Sequence, residues 1–460
     1  MELLARIRAI VGDNGVLTGE DASSRPADWT GMTTCAASAV IRPRSTQELS
    51  AVMALCHDAR QSVVPAGGLT GLVHGTDASP ADVQISFERM RTIEAVDPIG
   101  RTITVQAGVT LQAVHEAAAE HGLSYGVDLG ARGSCTIGGN ISTNAGGNTV
   151  VRYGMTRDNV LGLEAVLADG RVISAMNTLI KNNAAYDLKH LFIGSEGTLG
   201  LVTRAVLKLQ PKPASVATAM LAVDSFEGLT SLFALAGRRL GGLLSSFEVM
   251  WRAHYEQIAI TSGRHQPPLP GGHEFYIVVE ATGTDPERDE GLFADVMSEA
   301  LEQGLAVDAV LASSGAQRAA IWGVREDIVG LVTDFYPCAT FDISLPISAM
   351  DDYVRALRAS VLQEWGEKAG VIVFGHLGDG NLHVLVAPRP WDDALRHRAE
   401  ELVYLPLKAL GGSLSAEHGI GLEKRDWLHV SRTPEELGLM REVKAMLDPY
   451  GLLNPGKVLG

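Results

Sequence analysis

The sequence predicts an α+β chain of more than one domain, and three observations carry that prediction. The chain has 460 residues, and beyond roughly 250–300 residues a single hydrophobic core stops growing and chains divide. Over the first two hundred residues, short β-branched runs alternate with helical stretches and glycine-rich loops. Around Pro211 and Pro213 the texture changes to strands and helices with few glycine loops, as a sheet with helices on one face would read.

The elements follow in order. MELLARIRAIVG reads as a short amphipathic helix with Arg6 and Arg8 on its polar face. Ser38–Arg42 is expected as a strand, Thr46–Ala59 as a helix and Ser62–Pro65 as a strand. Thr102–Gln106 is the next strand and Leu111–His121 the next helix. Val160–Leu167 and Leu199–Lys208 read as strands, with a turn at Asp169-Gly170. Beyond the prolines come strand Val216–Val223, helix Phe226–Arg239, strand Phe275–Thr282, helix Pro286–Gln303 and strand Ala306–Ala312. Ala316–Val332 is helical, and from Pro388 the chain is mainly so. The domains are therefore placed at 1–212 and 213–400, with residues 401–460 returning to the first.

Composition narrows the function. Apolar residues make up 46% and charged residues 20%, the balance of a folded globular chain. Thirty-eight basic residues against 54 acidic ones leave a net charge of −16, which repels nucleic acid and an anionic membrane surface. No window is apolar enough for an integral membrane contact, and the N-terminus lacks the apolar core of a secretory signal. Cys35, Cys56, Cys135 and Cys338 are scattered, without a CxxC pair. A reduced, cytoplasmic protein is the expectation.

Three glycine-rich loops carry the functional signal. Pro65-Ala-Gly-Gly-Leu-Thr-Gly71 follows a strand directly, and its backbone N–H groups can converge on a phosphate. The stretch from Asp128 to Gly147 holds small or hydroxyl residues at most positions, as a wall against a flat ligand would. Gly194-Ser-Glu-Gly-Thr-Leu-Gly200 is the third. The Rossmann pattern GxGxxG follows no early strand, so a nicotinamide site is not supported.

PAGGLTGL, LGARGSCTIGGNISTNAGG, YGMTRDNVLGLEAVLADG, KNNAAYDLKHLFIGSEGTLGLVT and NPGK, in this order, closely resemble the vanillyl-alcohol-oxidase type of FAD-binding domain. Within that superfamily the chain resembles the FAD-linked D-2-hydroxyacid dehydrogenases, which include D-lactate, D-2-hydroxyglutarate and glycolate enzymes. The resemblance implies an FAD-binding domain of two α/β subdomains and an α+β substrate domain with an antiparallel sheet, followed by the helical C-terminal segment. It places Gly67, Gly68, Thr70 and Gly71 on the pyrophosphate. Thr136, Gly138, Gly139, Ser142, Asn144, Gly146 and Gly147 would line the dinucleotide. Glu196, Gly197 and Gly200 would sit by its adenosine side, with Asn454 of NPGK also at the cofactor. The flavin ring would lie where the domains meet. Some relatives attach FAD through a histidine just after the first glycine pair; Leu69 stands there, so a non-covalent FAD is expected. His74 reads as an ordinary loop histidine.

Two further motifs bear on chemistry. Val371–Val386 places His376 and His383 on two strand-like runs around the loop LGDGN, so the histidines can face each other across a hairpin. Ser415-Ala-Glu-His-Gly-Ile-Gly421 puts Glu417 and His418 on a glycine-flanked turn. Two histidines and a carboxylate suffice to hold a metal with open positions. The same spacing also suits two hydrogen-bonded histidines beside an exposed Glu-His pair. HLGDGNLH and SAEHGIG both match the family's site, and the resemblance implies that His376, His383 and Glu417 hold a divalent metal, zinc first among them. It makes His418 the general base for oxidation of a 2-hydroxy acid, with hydride passing from C2 to flavin N5.

The arginine of Trp322-Gly-Val-Arg325-Glu326 meets the substrate carboxylate in that family, where a guanidinium binds bidentately. Hydroxyglutarate enzymes add a threonine, a lysine and an asparagine for the distal carboxylate; Val329, Thr340 and Leu385 occupy those places. A monocarboxylic acid such as D-lactate is therefore expected, although FDISLP and SSFEVM resemble the hydroxyglutarate branch. A metal-free flavin oxidase of sugars or aromatic alcohols and a flavin-binding subunit of a larger oxidoreductase are the alternatives. A quinone, a cytochrome or an electron-transfer flavoprotein is compatible as acceptor, and a homodimer is compatible too.

Overall fold

The computed structural model describes residues 2–29, 31, 33–389 and 391–460. The chain divides into two compact units. The first comprises residues up to Gly147, Gly154–Lys212 and Glu417–Gly460; the second comprises Asn148–Tyr153 and Pro213–Ala416.

The first unit contains two sheets. One runs Val16–Leu17, Ala39–Ile41, Val83–Ser86, Val63–Ala66 in spatial order. The last three strands are parallel, so each step between them needs a crossover. Helix Thr46–Ala59 supplies one of these. Its first turn is capped by Ser45, which accepts from the Glu48 amide at 3.1 Å. The helix ends where Arg60 turns left-handed at φ 56°. Leu49, Val52, Met53 and Cys56 recur at helical spacing and are fully buried, worth about 1.5–3 kcal/mol for each large side chain. The outer strand Val63–Ala66 is joined by the end of the chain: the Val63 amide donates to Leu452, and the Asn454 amide donates to Val63, both at 2.8 Å. The second sheet is antiparallel, in the order Ile93–Asp97, Thr102–Gln106, Leu201–Pro211, Val160–Val166, Val172–Ala175, with Leu123–Tyr125 also pairing with Leu201–Pro211.

The second unit is built on a seven-stranded antiparallel sheet. Its order is Asp308–Leu311, Ser215–Val223, Phe275–Gly283, Leu244–Trp251, Gly370–His376, Asn381–Ala387, Ala339–Ser344. Helices cover both of its faces, not one as expected. Helix Phe226–Leu240 packs Phe233 edge-on against Phe247 at 5.0 Å. On the opposite face helix Gly315–Glu326 ties Trp322 to Glu280 by a 2.8 Å hydrogen bond. Alternation along each strand separates the two sets, and both are apolar enough to need cover.

Two boundaries differ from the sequence reading. The expected helix 316–332 is two helices, Gly315–Glu326 and Ile328–Phe335, because Asp327 leaves the helical conformation and accepts from the Gly330 amide at 3.1 Å as an N-cap. The return to the first unit comes at Glu417, not 401. Helix Asp393–Leu410 stays with the second unit, where the Tyr353 hydroxyl donates to the Val403 carbonyl at 2.9 Å.

Candidate active site

A cavity of about 370 Å³ opens in the first unit, lined by the glycine-rich loops. Their contact with one another is close. A Cβ added to Gly68 would lie 2.0 Å from the Ser134 carbonyl oxygen, so backbone meets backbone there and only glycine fits. Gly71 also lines the cavity, but an added Cβ would meet nothing within 4 Å. The space beside Gly71 belongs to whatever the cavity holds.

Gly67, Gly68, Thr70, Gly71, Thr136, Gly138, Gly139, Ser142, Gly146, Glu196, Gly197 and Asn454 all reach the cavity. Asn144, Gly147 and Gly200 are not among its lining. Asn144 closes helix Ile137–Thr143 in a left-handed turn and accepts from the Arg157 amide at 2.9 Å. Gly200 packs under the Phe192 ring, 2.7 Å from a would-be Cβ. Leu129, Gly130 and Ala131, within the stretch expected to wall the ligand, line the cavity too, whereas Val73, Gly75 and Thr76, just beyond the first loop, line it without having been singled out. Leu69, at φ 56°, presents an aliphatic side chain where a covalent flavin link would need a nucleophile.

The cavity carries an orphaned polar atom. The Asn454 side-chain amide donates to the carbonyls of Gly75 at 3.1 Å and Glu196 at 2.8 Å. Its Oδ1 is buried and without a partner among the described residues. A dinucleotide rich in donors and acceptors fits such a lining; an apolar ligand does not.

Glu417 and His418 line the same cavity. Two contacts within the first unit fix their loop. Glu417 Oε1 accepts from the Gly147 amide at 2.7 Å. The Glu196 carboxylate accepts from the amides of Ile420 at 2.7 Å and Gly421 at 2.8 Å. Burial pushes the Glu196 carboxyl above its ordinary range, against the opposing pull of those two amides.

In the second unit, Gly370–His376 and Asn381–Ala387 form the expected hairpin, closed by Gly380 at φ 84°. Phe374 pairs with His383, so His376 and His383 lie on one face, with ring centroids 5.4 Å apart. Each offers a ring nitrogen within 4.8 Å of the other's. Two carboxylates support them. Glu248 lies 2.8 Å from His376 Nδ1, and the fully buried Asp342 lies 3.9 Å from His383 Nδ1. Asp342 also accepts from the Ala416 amide at 3.1 Å.

Arg325 is 3% exposed, and its guanidinium pairs with Glu248 at 2.8 Å and lies over the Phe374 ring at 4.8 Å. His254 packs on the same ring at 4.6 Å. Burial first, and the Arg325 charge second, push it well below the ordinary imidazole range. Glu248 and His254 were not singled out from the sequence. Glu248 is one acid in an apolar strand, and that incongruity was the available signal.

The face shared by His383 continues along the strands to Leu385, Thr340 and Ile372. Helix Ile328–Phe335 covers it through Ile328, Leu331, Val332 and Phe335. Leu385 is buried, whereas Val329 is 69% exposed. Two residues past the end of strand Asn381–Ala387, Arg389 donates to the carbonyls of Phe335 and Pro337 at 2.7 and 2.6 Å.

Comparison with known proteins agrees with both units. Residues 212–458 match the family of FAD linked oxidases, C-terminal domain, and residues 37–175 match the FAD binding domain family. D-2-hydroxyglutarate dehydrogenase of Xanthomonas citri pv. viticola is 40% identical over 436 residues, covering 94% of this chain and 91% of that protein. The mitochondrial D-2-hydroxyglutarate dehydrogenase of Bos taurus is 37% identical over 457 residues, covering 99% and 83%. Among solved structures, p-cresol methylhydroxylase with substrate bound superposes with a TM-score of 0.78 at 16% identity, covering 100% of this chain and 96% of that one. No helix among the described residues is long and apolar enough to cross a membrane.

Proposed function

Because the chain belongs to the FAD-linked D-2-hydroxyacid dehydrogenases, on an α+β fold of the vanillyl-alcohol-oxidase type, we propose that it oxidises a monocarboxylic D-2-hydroxy acid, such as D-lactate or a more apolar analogue. The observation carrying the substrate choice is the buried Leu385 beside His383, under an apolar helix, with the uncharged and exposed Thr340 as its cross-strand partner. Arg389, just past strand Asn381–Ala387, donates to the carbonyls of Pro337, Pro388 and Phe335, so a distal carboxylate would have to draw it away from those contacts to pair with it. Burying an unpaired charge costs several kcal/mol.

The proposed roles are these. FAD is held non-covalently by the glycine loops, and when bound it takes up the hydride from C2. His376, His383 and Glu417 hold a divalent metal, proposed as zinc, which when bound supplies Lewis acidity toward the substrate oxygens. Glu417 follows Ala416 in the chain, and the Ala416 amide is anchored on Asp342 beside His383. Arg325 binds the substrate carboxylate and orients C2. His418 accepts the hydroxyl proton on a ring nitrogen. Electrons then leave to a quinone, a cytochrome or an electron-transfer flavoprotein.

Both relatives described above are named for D-2-hydroxyglutarate, and that substrate is the second reading. The test is anaerobic mixing of the purified flavoprotein with D- and L-2-hydroxy acids, before and after chelation. Bleaching by D-lactate or larger D-monocarboxylates, lost on chelation and restored by zinc or manganese, supports the proposal. Preferential bleaching by D-2-hydroxyglutarate would overturn the substrate choice alone. Bleaching indifferent to chelation would overturn the metal.

A further inference from the structure

We propose that Glu248 is a positioning residue that orients the metal ligand His376 and the substrate-binding Arg325 with a single carboxylate. This rests on the metal and substrate roles proposed above, and adds a residue to them.

Glu248 sits in Leu244–Trp251, in the middle of the seven-stranded sheet, with 1% of its surface exposed. Its strand neighbours Phe247 and Val249 are equally buried. An acid in such a strand is retained only if its charge is matched. It is matched twice. Glu248 is the direct cross-strand partner of His376, and its carboxylate oxygens lie 2.9 and 2.8 Å from His376 Nδ1. The same carboxylate accepts from Arg325 Nε at 3.1 Å, with Nη2 at 2.8 Å.

The consequence for His376 is chemical. With Nδ1–H donated to Glu248, the ring's other nitrogen, Nε2, keeps its lone pair for a metal. A carboxylate behind a ligating histidine fixes both tautomer and ring orientation. The consequence for Arg325 is geometric. Its Nε edge is held by Glu248 and its plane by Phe374 at 4.8 Å, which pre-orients the guanidinium before substrate arrives. His376 rests on a strand of the same sheet and Arg325 on helix Gly315–Glu326, which is tied to that sheet through Trp322, so a displacement of Glu248 moves ligand and substrate anchor together.

The test uses the full-length flavoprotein, stripped of metal and titrated with zinc by calorimetry, with the flavin spectrum as the check on folding. E248Q is expected to keep its flavin and to bind zinc 10–100-fold more weakly, with a raised KM for the 2-hydroxy acid. R325M is expected to raise KM while leaving zinc affinity within threefold. E248Q leaves Arg325 buried without a counter-charge, so the double variant E248Q/R325M, which removes both charges, guards against a folding defect. Zinc binding still weakened in the double variant confirms that Glu248 acts through His376. Wild-type zinc affinity in E248Q, or its recovery in the double variant, would reduce Glu248 to a counter-ion for Arg325 and overturn the inference. A wild-type chain that binds no zinc or manganese would instead overturn the metal reading on which it rests.

Discussion

The Glu196 carboxylate and the Gly421 amide are hydrogen-bonded at 2.8 Å across 225 residues of sequence. That contact, with its twin to Ile420, ties the loop carrying His418 to the glycine-rich stretch around Gly197. Glu196→Ala leaves two backbone donors without their acceptor, at about 1–3 kcal/mol of stability. The expected outcome is a matching loss in urea unfolding and at least a tenfold slower flavin reduction by substrate. Unchanged reduction would mean that the loop is held by other contacts.

Gly68 and Gly71 separate two reasons for glycine. Gly68→Ala drives a methyl into the Ser134 carbonyl and should lower the stability of the protein even without cofactor. Gly71→Ala meets only open space. Its cofactor-free stability should stay within about 0.5 kcal/mol of wild type, while its affinity for FAD falls at least tenfold. Paired thermal melts and FAD titrations of the two variants check this. Equal FAD affinity in Gly71→Ala would place the dinucleotide elsewhere.

Thr340→Lys tests the substrate pocket. Thr340 is exposed on the edge strand Ala339–Ser344, so the longer side chain should be tolerated. A cation there should shift the ratio of kcat/KM for D-2-hydroxyglutarate over D-lactate upward by about tenfold, equivalent to ~1.4 kcal/mol. No change in the ratio would remove Thr340 from the pocket.

Asp82 predicts an acid-sensitive increment of stability. Burial raises its carboxyl, but donation from Ser62 and Ser79 outweighs this, and the folded value lies below the usual 3.8. The increment is therefore present above pH 3.8 and is lost as pH falls through the lower folded value. Urea unfolding of wild type and Asp82→Asn should differ most above that pH and converge below it.

The hairpin histidines were legible because two simple periodicities coincide there: strand alternation puts His383 opposite Phe374, and Gly380 lets the chain reverse. The phosphate-type loops were legible from small residues crowded after a strand. Glu248 was not, because its partners stand 77 and 128 residues away, and only the folded sheet brings them together. The break at Asp327 has a local cause, a side-chain cap three residues before Gly330, but neither proline nor a glycine cluster marks it. The late return of the chain at Glu417 was hidden because helix Asp393–Leu410 could pack on either unit by its pattern alone.

The pairing of Val63 with Leu452 and Asn454 also governs how this protein comes into being. A ribosome adding roughly 5–20 residues per second delivers Leu452 some 20–80 s after Val63 has emerged. Throughout that interval the edge of the parallel sheet lacks its last neighbour, and an unpaired edge invites association with other chains. The second unit, whose sequence lies between segments of the first, can be complete before the first is closed. His418 emerges with the same late stretch that supplies Leu452 and Asn454, so the cavity it lines is completed only as that sheet edge is paired.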